Sequence, residues 1–296
     1  MTQLVQLQQV AHELEANGLS LFAISNDPVE ILDEFATEHA ITYPLLSDAD
    51  SAVIRSFGIM NQLIGPDEGR SMRWHGIAYP GTYFLDADGI VTDKDFHQHH
   101  ARRSSGATVL ARALGRPVEL AGDVSADAAD DEVVVRAGLS DPALQLEVIT
   151  TLAVDVEIPD GLHAYAQGAP SQFTPLAVEV GGKGLRVGTP RWPEPESIDM
   201  TELGLTVPVL SGTVRIEFPV TATSEVVRLG HDIIDDSLDI DVHVVAQLCD
   251  EVACGLPRPL SLTLTAPLER LVEPAGIQHY VERVEAIEAE RGTPVT

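Results

Sequence analysis

The hydrophobic pattern of the chain changes character near residue 130. Before that point, helical spacing alternates with short apolar runs. Leu4, Leu7, Val10, Ala11 and Leu14 share one helical face, which predicts a helix over 3–17 capped by Gly18. Residues 19–25 form a near-continuous apolar run, the signature of a parallel strand covered on both faces. Asn26-Asp27-Pro28 offers a helix start, followed by an apolar face of Ile31, Leu32 and Phe35. Residues 41–46 predict a short extended segment. Ser47-Asp48 predicts the cap of a helix carrying Val53, Ile54 and Phe57. A loop through residue 70 follows, then a hairpin of 82–85 with 90–91 closed by Asp86-Ala87-Asp88-Gly89, and a last helix over 105–114. Helices alternating with strands predict an α/β layer architecture for residues 1–115.

From residue 132 the period shortens to two. Leu238, Ile240, Val242, Val244, Ala246 and Leu248 alternate with mostly polar neighbours, as do Leu260, Leu262 and Leu264 with Ser261, Thr263 and Thr265. Short strands with Pro and Gly turns predict an all-β sandwich over 132–268. Residues 116–131, rich in Ala, Asp and Ser toward their end, read as a linker. Beyond the sandwich, Ile277, Tyr280, Val281, Val284 and Ile287 recur at helical spacing, so 269–296 reads as a closing helix and tail.

Charge narrows the partners. The 296 residues hold 46 acidic against 18 basic side chains, a net charge of −28, which repels phosphate backbones and anionic lipid. Nucleic acid and membrane surfaces are therefore not expected partners. No apolar run approaches the ~20 residues of a membrane helix, and residues 1–9 lack the blocks of a signal peptide. As written, the chain is expected in the cytoplasm.

Candidate chemistry is concentrated at the only two cysteines, Cys249 and Cys254. Antiparallel strands joined by the short loop between them would bring the sulfurs within disulfide reach. Such a loop confers only about 2 kcal/mol of loop-entropy stabilisation, and an exposed bond of this kind is easily reduced. Asp250 and Glu251 lie between the sulfurs, and their charge raises thiol pKa values. The same two residues read equally well as ordinary buried thiols. Elsewhere, His97-Gln98-His99-His100 offers imidazoles for a metal, but no carboxylate or cysteine stands at helical ligand spacing, and a solvated loop is the better reading. Asp86-Ala87-Asp88-Gly89 fails as a calcium loop because Ile90 and Val91 occupy required positions. His163 and Tyr165 read as packed strand residues, and Glu194 and Glu196 as loop surface. No metal site and no cofactor is expected.

Two resemblances sharpen this picture. Cys-Asp-Glu-Val-Ala-Cys at 249–254, with Leu256-Pro257 and the alternating strand after it, resembles the N-terminal domain of DsbD-type thiol:disulfide interchange proteins. Ile158-Pro159-Asp160-Gly161-Leu162-His163-Ala164-Tyr165, Trp192-Pro193-Glu194-Pro195 and the strand 214–219 follow that family's order, and the likeness covers about 131–268. It implies an immunoglobulin-like sandwich whose cysteine pair, here Cys249 and Cys254, carries electrons to or from a thiol–disulfide partner protein. It also implies a periplasmic or secreted location if the true N-terminus lies upstream. The family's aromatic loop capping the pair has no counterpart identifiable in the sequence.

The first 115 residues resemble a thioredoxin-like redoxin of the peroxiredoxin (alkyl hydroperoxide reductase/thiol-specific antioxidant) type. The likeness rests on residues 18–25, on Tyr43-Pro44-Leu45-Leu46-Ser47-Asp48 and on residues 76–89. It implies that Pro80 is the cis-proline beside the redoxin site. It also implies a reactive cysteine just before Thr2, where Met1 stands, and the region has no cysteine at all. The family's central strand before the first helix is missing too, so the domain reads as N-terminally truncated, with a strand and a cysteine expected upstream. Three functions follow as expectations: electron transfer through Cys249 and Cys254, a peroxidase whose peroxidatic cysteine lies upstream of Met1, or a non-catalytic binding module with a degenerate redoxin domain.

Overall fold

The structure, a computed structural model, describes residues 2–63, 76–97, 99, 101–130, 132–200, 204–226, 235–250, 252–271 and 286. The chain divides into two units, Met1–Pro117 with Leu271–Thr296, and Val118–Arg270.

The first unit mixes helices and short strands in the order α1 (Thr2–Ala16), β1 (Ala23–Ser25), α2 (Val29–Glu38), β2 (Leu45–Ser47), α3 (Ala52–Ser56), β3 (Gly81–Leu85), β4 (Val91–Phe96), β5 (Arg103–Ser104) and α4 (Gly106–Ala113). The expected helix ends are present. Gly18 takes a left-handed φ of 77° after α1, and Leu19 N–H closes the turn by donating to Leu14 O at 3.0 Å. The Asp48 carboxylate accepts from Val53 and Ile54 N–H at the start of α3, and Ser105 Oγ accepts from Thr108 N–H at the start of α4. Leu7, Phe35, Ile41, Tyr43 and Val109 form the core of this unit. The Tyr43 hydroxyl donates to Leu4 O at 2.8 Å, and burial pushes its pKa above the ordinary tyrosine value.

Three expectations for this unit need correction. The run 19–25 is covered on one face rather than two: Leu21 and Ala23 pack against the core, whereas Phe22 and Ile24 are 59% and 44% exposed. Among the described residues, β1 pairs only with β2, in parallel, and β3 only with β4, antiparallel. Second, the bond before Pro80 is trans; among the described residues there are no cis peptide bonds. Pro80 sits directly before β3 and its carbonyl accepts from His97 N–H at 3.1 Å. A trans proline at a strand start sacrifices no ladder hydrogen bond, and trans is the lower-energy isomer. Third, His97 is a partnered side chain rather than a freely solvated one; its Nε2 lies 3.7 Å from Asp95.

The second unit is strand-rich. Its elements are β6 (Ser125–Ala129), β7 (Val134–Leu139), β8 (Leu144–Gln145), β9 (Val148–Glu157), β10 (His163–Tyr165), β11 (Ala177–Gly181), β12 (Leu185–Val187), β13 (Glu196–Met200), β14 (Leu205–Leu210), β15 (Thr213–Ala222), β16 (Ser237–Ala246), β17 (Leu248–Cys249) and β18 (Arg258–Glu269). They form sheets ordered β12-β15-β9-β7-β6, β11-β16-β18-β8 and β13-β14-β10-β17. The alternation read from 238–248 is the register of β16 on β18, with Ile240 opposite Leu264 and Val242 opposite Leu262. All four are buried, as inward positions of a half-covered strand should be.

Within the segment read as a linker, Ser125–Ala129 is a strand pairing with β7, and Val118 and Val124 are buried. Its alternating Ala and Asp were a strand pattern with small inward side chains. Glu194 lies outside any strand, but Glu196 opens β13, where its carboxylate accepts from Ser211 Oγ at 3.2 Å. Glu269, placed with the closing segment, belongs to β18. The closing helix itself falls, except for Ala286, outside the described residues.

Candidate functional site

The chain leaves one sheet between Ala246 and Leu248 and joins another. Ala246 ends β16, whereas Leu248 and Cys249 form β17 and pair with β10. The strand then folds back on itself. Gly255 N–H donates to Leu248 O at 2.8 Å, and Asp250 N–H to Ala253 O at 3.0 Å. These bonds flank Cys249 and Cys254, which face each other as a non-hydrogen-bonded antiparallel pair with Cα atoms 4.0 Å apart. Side chains approach most closely at such positions, and here the sulfurs are joined in a disulfide.

The turn is fixed by Asp250. Its Oδ1 accepts from Val252 N–H and Ala253 N–H, both at 2.7 Å, an arrangement a short acidic side chain makes with its own backbone. The hydrogen bonds from Ala253 and then Val252 hold the Asp250 carboxyl below the ordinary carboxylate range. Its charge is therefore committed to the turn. Glu251 lies outside the described residues.

The two sulfurs have different surroundings. Cys249 is 1% exposed and packs with Tyr165, Val207 and Val209. Cys254 is exposed. Two positions away on either side in sequence stand Val252 and Leu256, 94% and 84% exposed.

β10 supplies the floor of the site. His163 pairs directly with Cys249 across the ladder. Tyr165, two residues on and therefore on the same face, brings its hydroxyl to 3.7 Å from Cys254 Sγ. The His163 ring meets the Tyr165 ring edge-on at 5.5 Å, and Phe173 covers Tyr165 at 4.3 Å. His163 is 8% exposed, and its Nε2 is buried without a hydrogen-bond partner. Burial pulls its pKa below the ordinary histidine value, and the Asp250 charge pulls the other way. Burial also raises the Tyr165 pKa. From sequence, His163 and Tyr165 read only as packed strand residues. His163-x-Tyr165 was in view as a motif piece, but its meeting with residues 249–254 depends on strand pairing across almost ninety residues.

The other candidates gather no comparable chemistry. Pro80 lies in the first unit, apart from the cysteines in sequence and in unit. Near it, Asp95, His97 and Ser104 meet, but the Ser104 hydroxyl donates to Asp95 rather than to the imidazole, and Ser104 is 4% exposed. Arg112 holds Asp95 at 3.1 Å and pairs with Asp93. This is an internal ion-pair cluster, not an activated hydroxyl. Among the described residues, no helix is long and apolar enough to cross a membrane.

Among solved structures, the chain is similar to the N-terminal periplasmic domain of ScsB from Proteus mirabilis, with 16% identity, a TM-score of 0.34, and coverage of 58% of this chain and 60% of that one. It is similar to the N-terminal domain of DsbD from Neisseria meningitidis in its reduced form, with 16% identity, a TM-score of 0.27, and coverage of 43% and 80%. It is also similar to AhpC from Enterococcus faecalis, with 19% identity, a TM-score of 0.32, and coverage of 38% and 64%. No curated protein matches. Two family matches, together with the disulfide, support a thiol–disulfide redox role. Residues 1–94 match the AhpC/TSA family, and residues 144–265 match the N-terminal domain of the thiol:disulfide interchange protein DsbD.

Proposed function

We propose that Cys249 and Cys254 form a thiol–disulfide exchange site that passes an electron pair between this protein and a partner carrying a dithiol. The partner's thiolate attacks the exposed Cys254 sulfur. The electron pair of the disulfide leaves on Cys249, which takes up a proton, while Cys254 is joined to the partner. The partner's second thiolate then attacks its own sulfur in that mixed disulfide. Cys254 departs as a thiolate and is protonated, leaving a dithiol here and a disulfide on the partner. The reverse sequence oxidises this protein, and the direction is set by the partner's potential.

The observation that carries this reading is the asymmetry of the pair: Cys249 is 1% exposed, whereas Cys254 is an exposed residue flanked in sequence by the exposed Val252 and Leu256. A purely structural staple needs no accessible sulfur, and a bond across so short a loop adds only about 2 kcal/mol. The exposed Val252 and Leu256 would contact the partner beside its reacting thiol. The frame is read as an immunoglobulin-like sandwich, and the disulfide favours an oxidising, extracytoplasmic compartment over the cytoplasm. The experiment is equilibration of the full chain with defined ratios of reduced and oxidised dithiothreitol, followed by a count of alkylated cysteines. A reversible two-electron transition supports exchange. Two thiols that never oxidise, or a disulfide that yields only after denaturation, would overturn it.

A further inference from the structure

Among the described residues of this site, His163 is the group whose chemistry is unspent. Its Nε2 is buried with no hydrogen-bond partner, in a side chain that is more than nine-tenths buried. It stands in register with Cys249, the buried sulfur. An orphaned buried nitrogen is costly and rare in a folded protein, so this one calls for a partner that exists in another state of the site. Reduction supplies such a partner, because breaking the disulfide leaves Cys249 as a buried thiolate that also lacks solvent. Each group solves the other's problem.

We propose that His163 is the proton partner of Cys249, relaying a proton from water to the Cys249 thiolate as it is released and accepting the Cys249 thiol proton when the pair is reoxidised. This rests on the exchange reading given above. In the reducing direction, the electron pair of the S–S bond passes to Cys249 Sγ, and one proton from water enters the His163–Cys249 pair. In the oxidising direction, the same proton leaves as the Cys249 thiolate attacks Cys254 Sγ in the mixed disulfide and the partner's thiolate departs.

Among the described residues, the groups facing His163 are few. Asp250, at the turn, is the charge acting on it. Tyr165 contributes from the same strand, and Cys249 and Cys254 from the fold-back. The neighbouring strand β14, Leu205–Leu210, carries no titratable side chain. In the disulfide form burial dominates and holds the imidazole neutral. A thiolate formed opposite it reverses that balance, since an opposite charge within a few ångströms favours the charged imidazole. The two groups then titrate as a pair.

Two measurements on the full chain test this. In the wild type, the His163 ring is titrated by NMR in the oxidised and the reduced protein. Its apparent pKa is expected to be higher in the reduced form; identical titrations in both forms would overturn the proposal. Second, oxidation of the reduced protein by glutathione disulfide is followed against pH for the wild type, His163→Gln and His163→Phe. Glutamine keeps a polar group and phenylalanine keeps the ring contact with Tyr165, but neither holds the proton. Both are expected to be about tenfold slower near neutrality, with the profile moved toward the ordinary thiol pKa near 8.5. Variants that exchange with the wild-type profile would overturn the role of His163 and leave the exchange reading standing. A wild type that does not exchange at all would overturn the exchange reading itself.

Discussion

The Tyr165 hydroxyl lies 3.7 Å from Cys254 Sγ, so the sulfur of the more exposed cysteine is backed by a phenol held in place from an adjoining strand. Sulfur is a weak acceptor, but a thiolate is a strong one. The contact therefore gains strength when Cys254 leaves as a thiolate. Tyr165→Phe keeps the ring that packs on Phe173 and removes only the hydroxyl. The expected result is a change in unfolding free energy within about 1 kcal/mol, with a raised Cys254 thiol pKa and slower release of a thiol bound there. Alkylation rates of the reduced protein against pH measure the pKa shift.

The stability carried by the disulfide is small because the loop is short. Cys249→Ser and Cys254→Ser should each lower the stability of the oxidised protein by about 2 kcal/mol, the loop-entropy value. Cys249→Ser adds a further cost because the hydroxyl is placed in an apolar pocket with Val207 and Val209. Urea unfolding of the two variants, each compared with the reduced wild type, separates these contributions. Equal losses in both would indicate that the Cys249 pocket is not dry.

Asp250 gives the hairpin a defined acid sensitivity. Its carboxyl is held below the ordinary range by hydrogen bonds from Ala253 and Val252. A carboxyl depressed in the folded state contributes stability that is full above the unfolded pKa, near 3.9, and is lost as pH falls through the lower folded value. Opening of the 249–254 turn should therefore increase only below about pH 4, read as faster amide exchange at Val252 and Ala253. Asp250→Asn, which can still accept both bonds, should abolish that dependence while keeping the turn.

In the first unit, α1 and α4 approach through a glycine. A Cβ at Gly106 would stand 2.6 Å from the Gln6 carbonyl oxygen. Backbone cannot move aside as a flexible side chain can, so Gly106→Ala should cost about 1–3 kcal/mol through overpacking despite the better helix propensity of alanine. Thermal unfolding of the first unit measures this. No loss of stability would mean that the two helices do not approach as closely as described.

What the sequence made legible follows from how local each signal was. The Cys249–Cys254 fold-back was readable because alternation on both sides and the short spacing fix a hairpin without reference to the rest of the chain. Asp48 and Gly18 were readable as caps for the same reason. The roles of His163 and Tyr165 were not, since they depend on β10 meeting β17, a pairing no local pattern specifies. Leu19 to Ser25 looked like a doubly covered strand because apolar composition does not say whether a second layer exists, and Phe22 and Ile24 show that among the described residues it does not. Val118 and Val124 were hidden in a segment whose Ala and Asp content imitates a linker. Pro80 shows the limit of carrying a conformation over by resemblance: the proline stands before a strand as expected, with its peptide bond trans.

The division of labour between the two sulfurs is tested most directly by trapping. Cys249→Ser and Cys254→Ser are each incubated, folded and full-length, with glutathione disulfide, and the adduct is located by mass spectrometry of the intact and digested protein. Exchange at the exposed sulfur predicts rapid, near-complete glutathionylation of Cys254 in the Cys249→Ser variant. It predicts little or none at Cys249 in the Cys254→Ser variant until the protein is unfolded. Equal modification of both cysteines in the folded variants, or modification of neither, would contradict it.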